Sequence, residues 1–290
     1  MKTSTEIDSI VLRTSWDRSL ELVAEAGFDC WDFSLFSMGV YDWGKNERVL
    51  RGSPLEVRKT ALPFAEKMRK KGETLGIRCN QSHAPFPVFC APIRELLPLA
   101  LECTAEAGGE ICVIHPDNYA PPEENGKMYR ELLPLAKKLG VKIAAENMWN
   151  WDDEKICAAP AACSDGPSFK AHLDIVDDPF LVACVDVGHA EMKGVGTDAP
   201  KMIRELGPRV KALHLHDNDK WHDLHLLPFS RDIDFEAVVR ALKDIGYDGV
   251  FTLESSLRAA MEDIGSSDAA EGVKAMFRAT RRLADMFEAL

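Results

Sequence analysis

No stretch of this 290-residue sequence approaches the ~18 consecutive apolar residues of a membrane span, so a bilayer-crossing helix is not expected. The opening "MKTSTEIDSIVLRTSWDRSL" lacks the apolar run of about 7–15 residues behind a basic start that marks a secretory signal. CxxC pairs are missing too. The eight cysteines are scattered, and Cys79, Cys112 and Cys184 fall in strand-like apolar runs, where a thiol behaves as a small hydrophobe. Reduced thiols and a cytoplasmic location are the expectation. Basic charge is scarce: 35 Lys and Arg stand against 47 Asp and Glu, a net charge of −12. Neutralising phosphates needs a basic face, so the balance argues against a nucleic-acid partner. No Gly/Ser/Pro-rich linker and no low-complexity tract interrupts the chain, which makes a single domain over residues 1–290 the simplest reading.

What is present is ample core material, 46% apolar residues, arranged as a repeated alternation. Short apolar, strand-like runs lie near 7–12, 30–35, 76–81, 110–114, 141–145, 181–185, 210–215 and 249–253. Amphipathic helical stretches separate them, closing on Gly27, Gly72, Gly140 and Gly246, where a left-handed C-terminal residue is wanted. Two stretches carry an interior "LLPLA", and Pro98 and Pro134 should each kink a helix or delay its start. Eight strands alternating with helices predict an α/β fold, a (β/α)8 TIM barrel. A doubly wound sheet would want a Gly-rich phosphate loop after the first strand, and "SIVLRTSWD" has none. Residues 147–178, with Pro160 and Pro167, read as a long irregular loop over the active face.

In such a barrel, chemistry gathers at the C-terminal ends of the strands. Those positions read "QSHAPF" (His83), "VIHPD" (His115), "AAENM" (Glu146), "CVDVGHA" (Asp186, His189), "ALHLHDN" (His214) and "FTLES" (Glu254). Six successive strand ends offer a carboxylate or an imidazole. Any one of them alone is more often a hydrogen-bonded structural residue. Six converging on one axis would repel without a cation between them, so the set points to metal. Glu, Asp, His and Glu form an oxygen-rich set that suits Mn, Co, Mg or Zn, and no cysteine joins it. Four of the eight histidines crowd into "HLHDNDKWHDLH", residues 214–225. Strand alternation puts His214 and His216 on one side; one is expected to bind metal and the other to hold a ligand carboxylate from behind. His222 reads as a loop residue. Trp16, Phe33, Phe36, Tyr41, Trp43 and Phe86 form either a sugar-stacking wall or barrel packing with an inter-subunit contact in a homo-oligomer.

The ordered segments "ENM", "DVGHA", "HLHDND", "DLHLLP" before "IDF", and "GYDGVFTLES" resemble the xylose isomerase-like TIM barrels. That family holds sugar and sugar-phosphate isomerases, ketose 3-epimerases, inosose dehydratases and family 2 AP endonucleases. The resemblance runs from about residue 15 to 254. By motif it implies one divalent ion on Glu146, Asp186, His214 and Glu254, with Glu146 and Glu254 moving a proton next to the carbonyl of a small sugar or sugar derivative. It implies substrate contacts from His83, His115 and His189, and places the family's hydroxyl-holding acid and base near Asp152 and Lys220. The endonuclease branch is the competing reading: His83, His115, His189, Asp223 and His225 would add ligands for a three-zinc phosphodiester hydrolase. Against it, that branch's "GxHVSxxGG"-like opening is missing. "LLPFSRDIDF" also departs from both branches, which carry a Gly-rich turn there.

Overall fold

Eight parallel strands alternate with helices along the computed structural model, which describes residues 1–290. They are β1 (Thr3–Thr5), β2 (Cys30–Ser34), β3 (Arg78–His83), β4 (Ile111–Val113), β5 (Lys142–Glu146), β6 (Leu181–Asp186), β7 (Val210–His214) and β8 (Phe251–Leu253). Strands β2 to β7 pair in chain order, and β8 pairs with β1. Single bridges between Glu6 and Asp32 and between Leu215 and Leu253 join the two pieces, so the strands close into a ring. The fold is a (β/α)8 barrel, and the chain contains no helix long and apolar enough to cross a membrane.

The period-2 alternation of the strands sorts side chains between two cores. Ile143 and Ala145, Ala183 and Val185, and Leu213 and Leu215 face outward and join the main apolar core beneath the helices. Val113, Ala144, Val182, Cys184 and Ala212 face inward as a small separate cluster. Two residues further along, the same inward positions become Glu146, Asp186 and His214. Register fixes their neighbours, since Cys184 pairs with Glu146 and Asp186 with His214. Polar ligands therefore cap a plug of small apolar side chains.

Three expectations need correction. The first strand is Thr3–Thr5, not residues 7–12; Asp8–Val11 is a helical turn that buries Ile10 and leaves Leu12 exposed. The true strand is polar but fully buried, and its groups find partners: Thr3 Oγ1 donates to Asp29 and Ser4 Oγ to Asn80. The helix expected to close on Gly72 runs over Arg58–Leu75 and closes on Gly76, which takes φ +78°. Gly72 lies inside that helix, where a Cβ would come to 3.0 Å from the Trp31 indole nitrogen. Pro98 starts its helix late, at Leu97, whereas Pro134 sits inside Pro122–Leu139. Residues 147–178 are not irregular: they hold an antiparallel hairpin, Trp149–Asp152 with Cys157–Pro160, and the helix Gly166–Asp174 capped by Asp165. All eight cysteines are free.

Candidate metal centre and active site

The ligand atoms of Glu146, Asp186, His214 and Glu254 all lie within 4.8 Å of one another. His214 Nδ1 stands 3.1 Å from Glu146 Oε1 and 3.3 Å from Glu254 Oε2. Two further groups adjoin this one. His83 and His115 bring their Nε2 atoms to 3.4 and 3.2 Å from Glu146 Oε2, and His189, His216, Asp223 and His225 form a third cluster. The structure thus brings together every residue expected as a metal ligand, and places His216, the histidine expected to hold a ligand carboxylate, with its Nε2 3.1 Å from Asp186 Oδ1. His222 stays outside, paired with Asp219 on the exposed loop.

Whether these groups suit a cation can be tested on their hydrogen bonds. Buried polar atoms are normally satisfied. Here Glu146 Oε2, Asp186 Oδ2, His214 Nδ1, His216 Nδ1 and Asp223 Oδ1 are buried without a hydrogen-bond partner. Those of Glu146, Asp186 and His214 converge from three strands and fit a shared cation, while His216 and Asp223 belong to the adjoining group. The imidazoles are set for the same task. His83 Nδ1 donates to the Ala84 carbonyl at 2.9 Å, His189 Nδ1 to Asn147 at 2.9 Å and His225 Nδ1 to Glu254 at 2.7 Å. Each carbonyl fixes the tautomer and leaves the Nε2 lone pair facing the site, as in metal-bound histidines generally.

The local backbone exists to hold these atoms. Asn147 brackets Asp186 through paired bonds of 2.8 Å, from its Nδ2 to the Asp186 carbonyl and from the Asp186 N–H to its Oδ1. Asp186 then caps the short helix Val187–Glu191 by accepting from the His189 N–H. Gly188 is demanded there: a Cβ would fall 1.9 Å from His216 Cε1. His225 adopts φ +47°, a left-handed strain held at a candidate functional residue. The "LLPF" departure has a similar result, since Phe229 takes φ +72° where a glycine would be unstrained.

Electrostatics separates the two candidate proton-moving groups. Burial pushes the Glu146 carboxyl up, but His214 and His115 outweigh it and hold the group well below the usual carboxylate range. Burial also acts on Glu254, and there it wins over His214 and His225, leaving that carboxyl raised. Burial lowers His115 to about 4, so at neutral pH its ring is an uncharged donor of lone pairs.

Above the cluster opens a cavity of about 460 Å³. His83, His115, Glu146, His189 and Glu254 line its floor, and Phe36, Trp43, Phe86, Phe89, Trp149 and Trp151 its walls. Of the rings read as either a stacking wall or barrel packing, Trp16 and Phe33 pack on each other at 6.0 Å, and Tyr41 stands behind Trp43 at 4.9 Å. Asp152 and Lys220 are also corrected, for neither lines the cavity. Asp152 orders its hairpin turn, accepting from the N–H groups of Glu154 and Lys155 and pairing with the Lys155 ammonium at 2.9 Å. Lys220 pairs with Glu191 at 3.1 Å. Both were placed by counting along loops whose turns the barrel does not fix. Sequence reasoning missed Asn147, Asp32 and the hairpin tryptophans; the "EN" after a strand was the one visible signal, for Asn147.

Residues 20–283 match the profile of a protein family described as "Xylose isomerase-like TIM barrel". The chain belongs to that family. An uncharacterised protein of Methanocaldococcus jannaschii is 27% identical over 267 residues, covering 85% of this chain and 81% of its own length. Among solved structures, a D-tagatose 3-epimerase-like protein superposes with a TM-score of 0.70 at 23% identity, covering 100% of this chain and 99% of its own. The IolI protein with a bound zinc atom superposes with a TM-score of 0.73 at 17% identity, over 100% of both chains. At these identities the likeness establishes the shared xylose isomerase-like fold.

Proposed function

We propose that this protein is a divalent-metal-dependent sugar isomerase or epimerase that moves a proton next to a carbonyl. The observation that carries the proposal is the convergence of Glu146, Asp186, His214 and Glu254: the first three hold buried, unsatisfied ligand atoms, and Glu146 and Glu254 line a ligand-sized cavity. The D-tagatose 3-epimerase-like protein and D-psicose 3-epimerase, solved in the presence of D-fructose, lend support as relatives in fold. A bound Mn, Co, Mg or Zn ion would supply Lewis acidity, stabilising negative charge as it develops on a substrate oxygen. The chain's own residues do the rest. One of the two carboxylates, Glu146 or Glu254, takes the proton from the carbon beside the carbonyl, and the electron pair moves to oxygen to give an enediolate. Return of a proton to the other face of the same carbon gives epimerisation; return to the neighbouring carbon gives isomerisation. His83, His115 and His189 face the cavity, where their ring nitrogens can bind hydroxyls.

The test is exchange of a substrate C–H with solvent deuterium across a panel of ketoses and inososes. Glu146→Gln and Glu254→Gln should each abolish exchange, a loss of at least about a thousandfold; retained exchange in both variants would remove the two carboxylates from the mechanism. A second reading, a multinuclear phosphodiester hydrolase, rests on the His83–His115–Glu146 and His189–Asp223–His225 groups beside the first. Two or three zinc ions per chain together with cleavage of an abasic-site duplex would favour it. The cavity lining holds no Lys or Arg to receive a phosphate backbone, which favours the sugar reading.

A further inference from the structure

The cavity changes character along its depth. Its floor is carboxylate and imidazole, while its rim is aromatic. Trp43, Phe86, Phe89, Tyr119 and Trp151 remain 64, 36, 43, 77 and 39% exposed, although large rings gathered on one face ordinarily signal a binding surface. They come from separate segments: Trp43 follows the strand Val40–Asp42, Phe86 and Phe89 follow β3, Tyr119 follows β4, and Trp151 sits on the hairpin after β5. Edge-to-face contacts brace several of them, Tyr41 on Trp43 at 4.9 Å and on Phe89 at 5.6 Å, and Phe36 on Phe86 at 5.4 Å. Asn118 Nδ2 ties the hairpin down through the Trp149 carbonyl at 3.0 Å. The ring faces are therefore held in place before any ligand arrives, which cuts the ordering cost of binding.

A free monosaccharide held by the carboxylates and imidazoles of the floor has only its own C–H faces to offer the walls, and leaves the exposed rings of the rim in water. A sugar phosphate would want a cation, and the lining has no Lys or Arg. We infer that the substrate is a glycoside with an aromatic aglycone: its sugar ring lies at Glu146 and Glu254, and its aglycone stacks on the rings at the mouth, Trp43, Phe89 and Trp151 among them. This rests on the proposed proton-transfer reading for the sugar end alone. In a glycoside the anomeric carbon is locked as an acetal, so the carbonyl that activates the adjacent C–H is a ketone on another ring carbon. The reaction that supplies this substrate is then an oxidation of a ring hydroxyl. The rings line a concave cavity continuous with the candidate active site, which favours a small ligand over a second copy of the chain as their occupant.

The test compares phenyl β-D-glucopyranoside with methyl β-D-glucopyranoside, both unreactive probes, by calorimetric titration of the Mn-loaded full chain. The phenyl glycoside should bind at least about tenfold tighter. Trp43→Ala and Trp151→Ala should each reduce that ratio severalfold, and Trp221→Ala, a tryptophan outside the cavity lining, should leave it unchanged. Equal binding of the two probes, or binding of neither, overturns the inference. So does an oligomer that Trp43→Ala or Trp151→Ala breaks apart, for then a second copy covers the rings. Deuterium exchange is scored separately: a tenfold ratio without exchange on any keto sugar would sink the isomerase reading and leave the aglycone site standing, while exchange without the ratio would do the reverse.

Discussion

Asp32 stands behind the imidazole of His214, its Oδ2 3.8 Å from Nε2, while Nδ1 on the far side of the ring faces Glu146 and Glu254. Asp32 is buried; Gln81 Nε2 donates to Oδ2 at 2.8 Å and Oδ1 has no partner. A carboxylate behind a ligating histidine orients the ring and raises its basicity. Asp32→Asn keeps the shape and an acceptor for Gln81 but removes the charge. Metal affinity, measured by titration, should fall about 10–100-fold, while the melting temperature of the metal-free protein stays level or rises as a buried charge is removed. Unchanged metal affinity would leave Asp32 a merely structural residue. Glu6, just past β1, gives a second residue-scale test. Burial pushes its carboxyl up to about 7, against the opposing bonds from Ser9. Between about pH 4.5 and 7 the unfolded chain gives up a proton that the native state keeps. The native state binds more protons there, and stability falls as pH rises, by roughly 3 kcal/mol across the window. Glu6→Gln cannot titrate, so denaturation at pH 5 and pH 8 should show a smaller loss than in the wild type. An unaltered pH dependence would contradict this account of Glu6.

At the scale of elements, hydropathy revealed most of the barrel because most strands carry apolar residues between amphipathic helices, although β3 reads "RCNQSH". It failed at β1, where "TST" is polar and the neighbouring Ile7, Ile10 and Val11 belong to a helical turn. Burial of that strand is paid for by hydrogen bonds to Asp29 and Asn80, residues 26 and 76 positions away, which no local pattern contains. The site shows the same division. Glu146, Asp186 and His214 were legible because alternation along a strand sets which side chain faces the axis. Asp32, and the part His216 takes in a second ligand cluster, depend on which strands meet across the barrel. Asp152 and Lys220 went astray because they follow the strand ends by several residues, in loops that order themselves through Lys155 and Glu191. The hairpin Trp149–Asp152 with Cys157–Pro160 was hidden by Pro160, which ends its second strand, and by the exposed turn between the strands.

At the scale of the whole molecule, the ring of strands gathers residues from positions 83 to 254 onto one mouth, and the loops above it set the character of the cavity. The chain carries a net charge of −12, and no Lys or Arg lines that cavity. The central claim is that Glu146, Asp186, His214 and Glu254 hold a divalent cation in the folded chain. Binding to the native state alone must stabilise it, by about 2.7 kcal/mol at a hundredfold excess over Kd, or roughly 5 °C for a chain of this size. The most direct measurement is elemental analysis of protein purified without chelator, paired with melting curves before and after chelation. The account predicts at least one Mn, Co, Mg or Zn ion per chain, and a melting temperature that falls on chelation and recovers when the ion is restored. Protein without metal, whose melting temperature none of these ions raises, would contradict it.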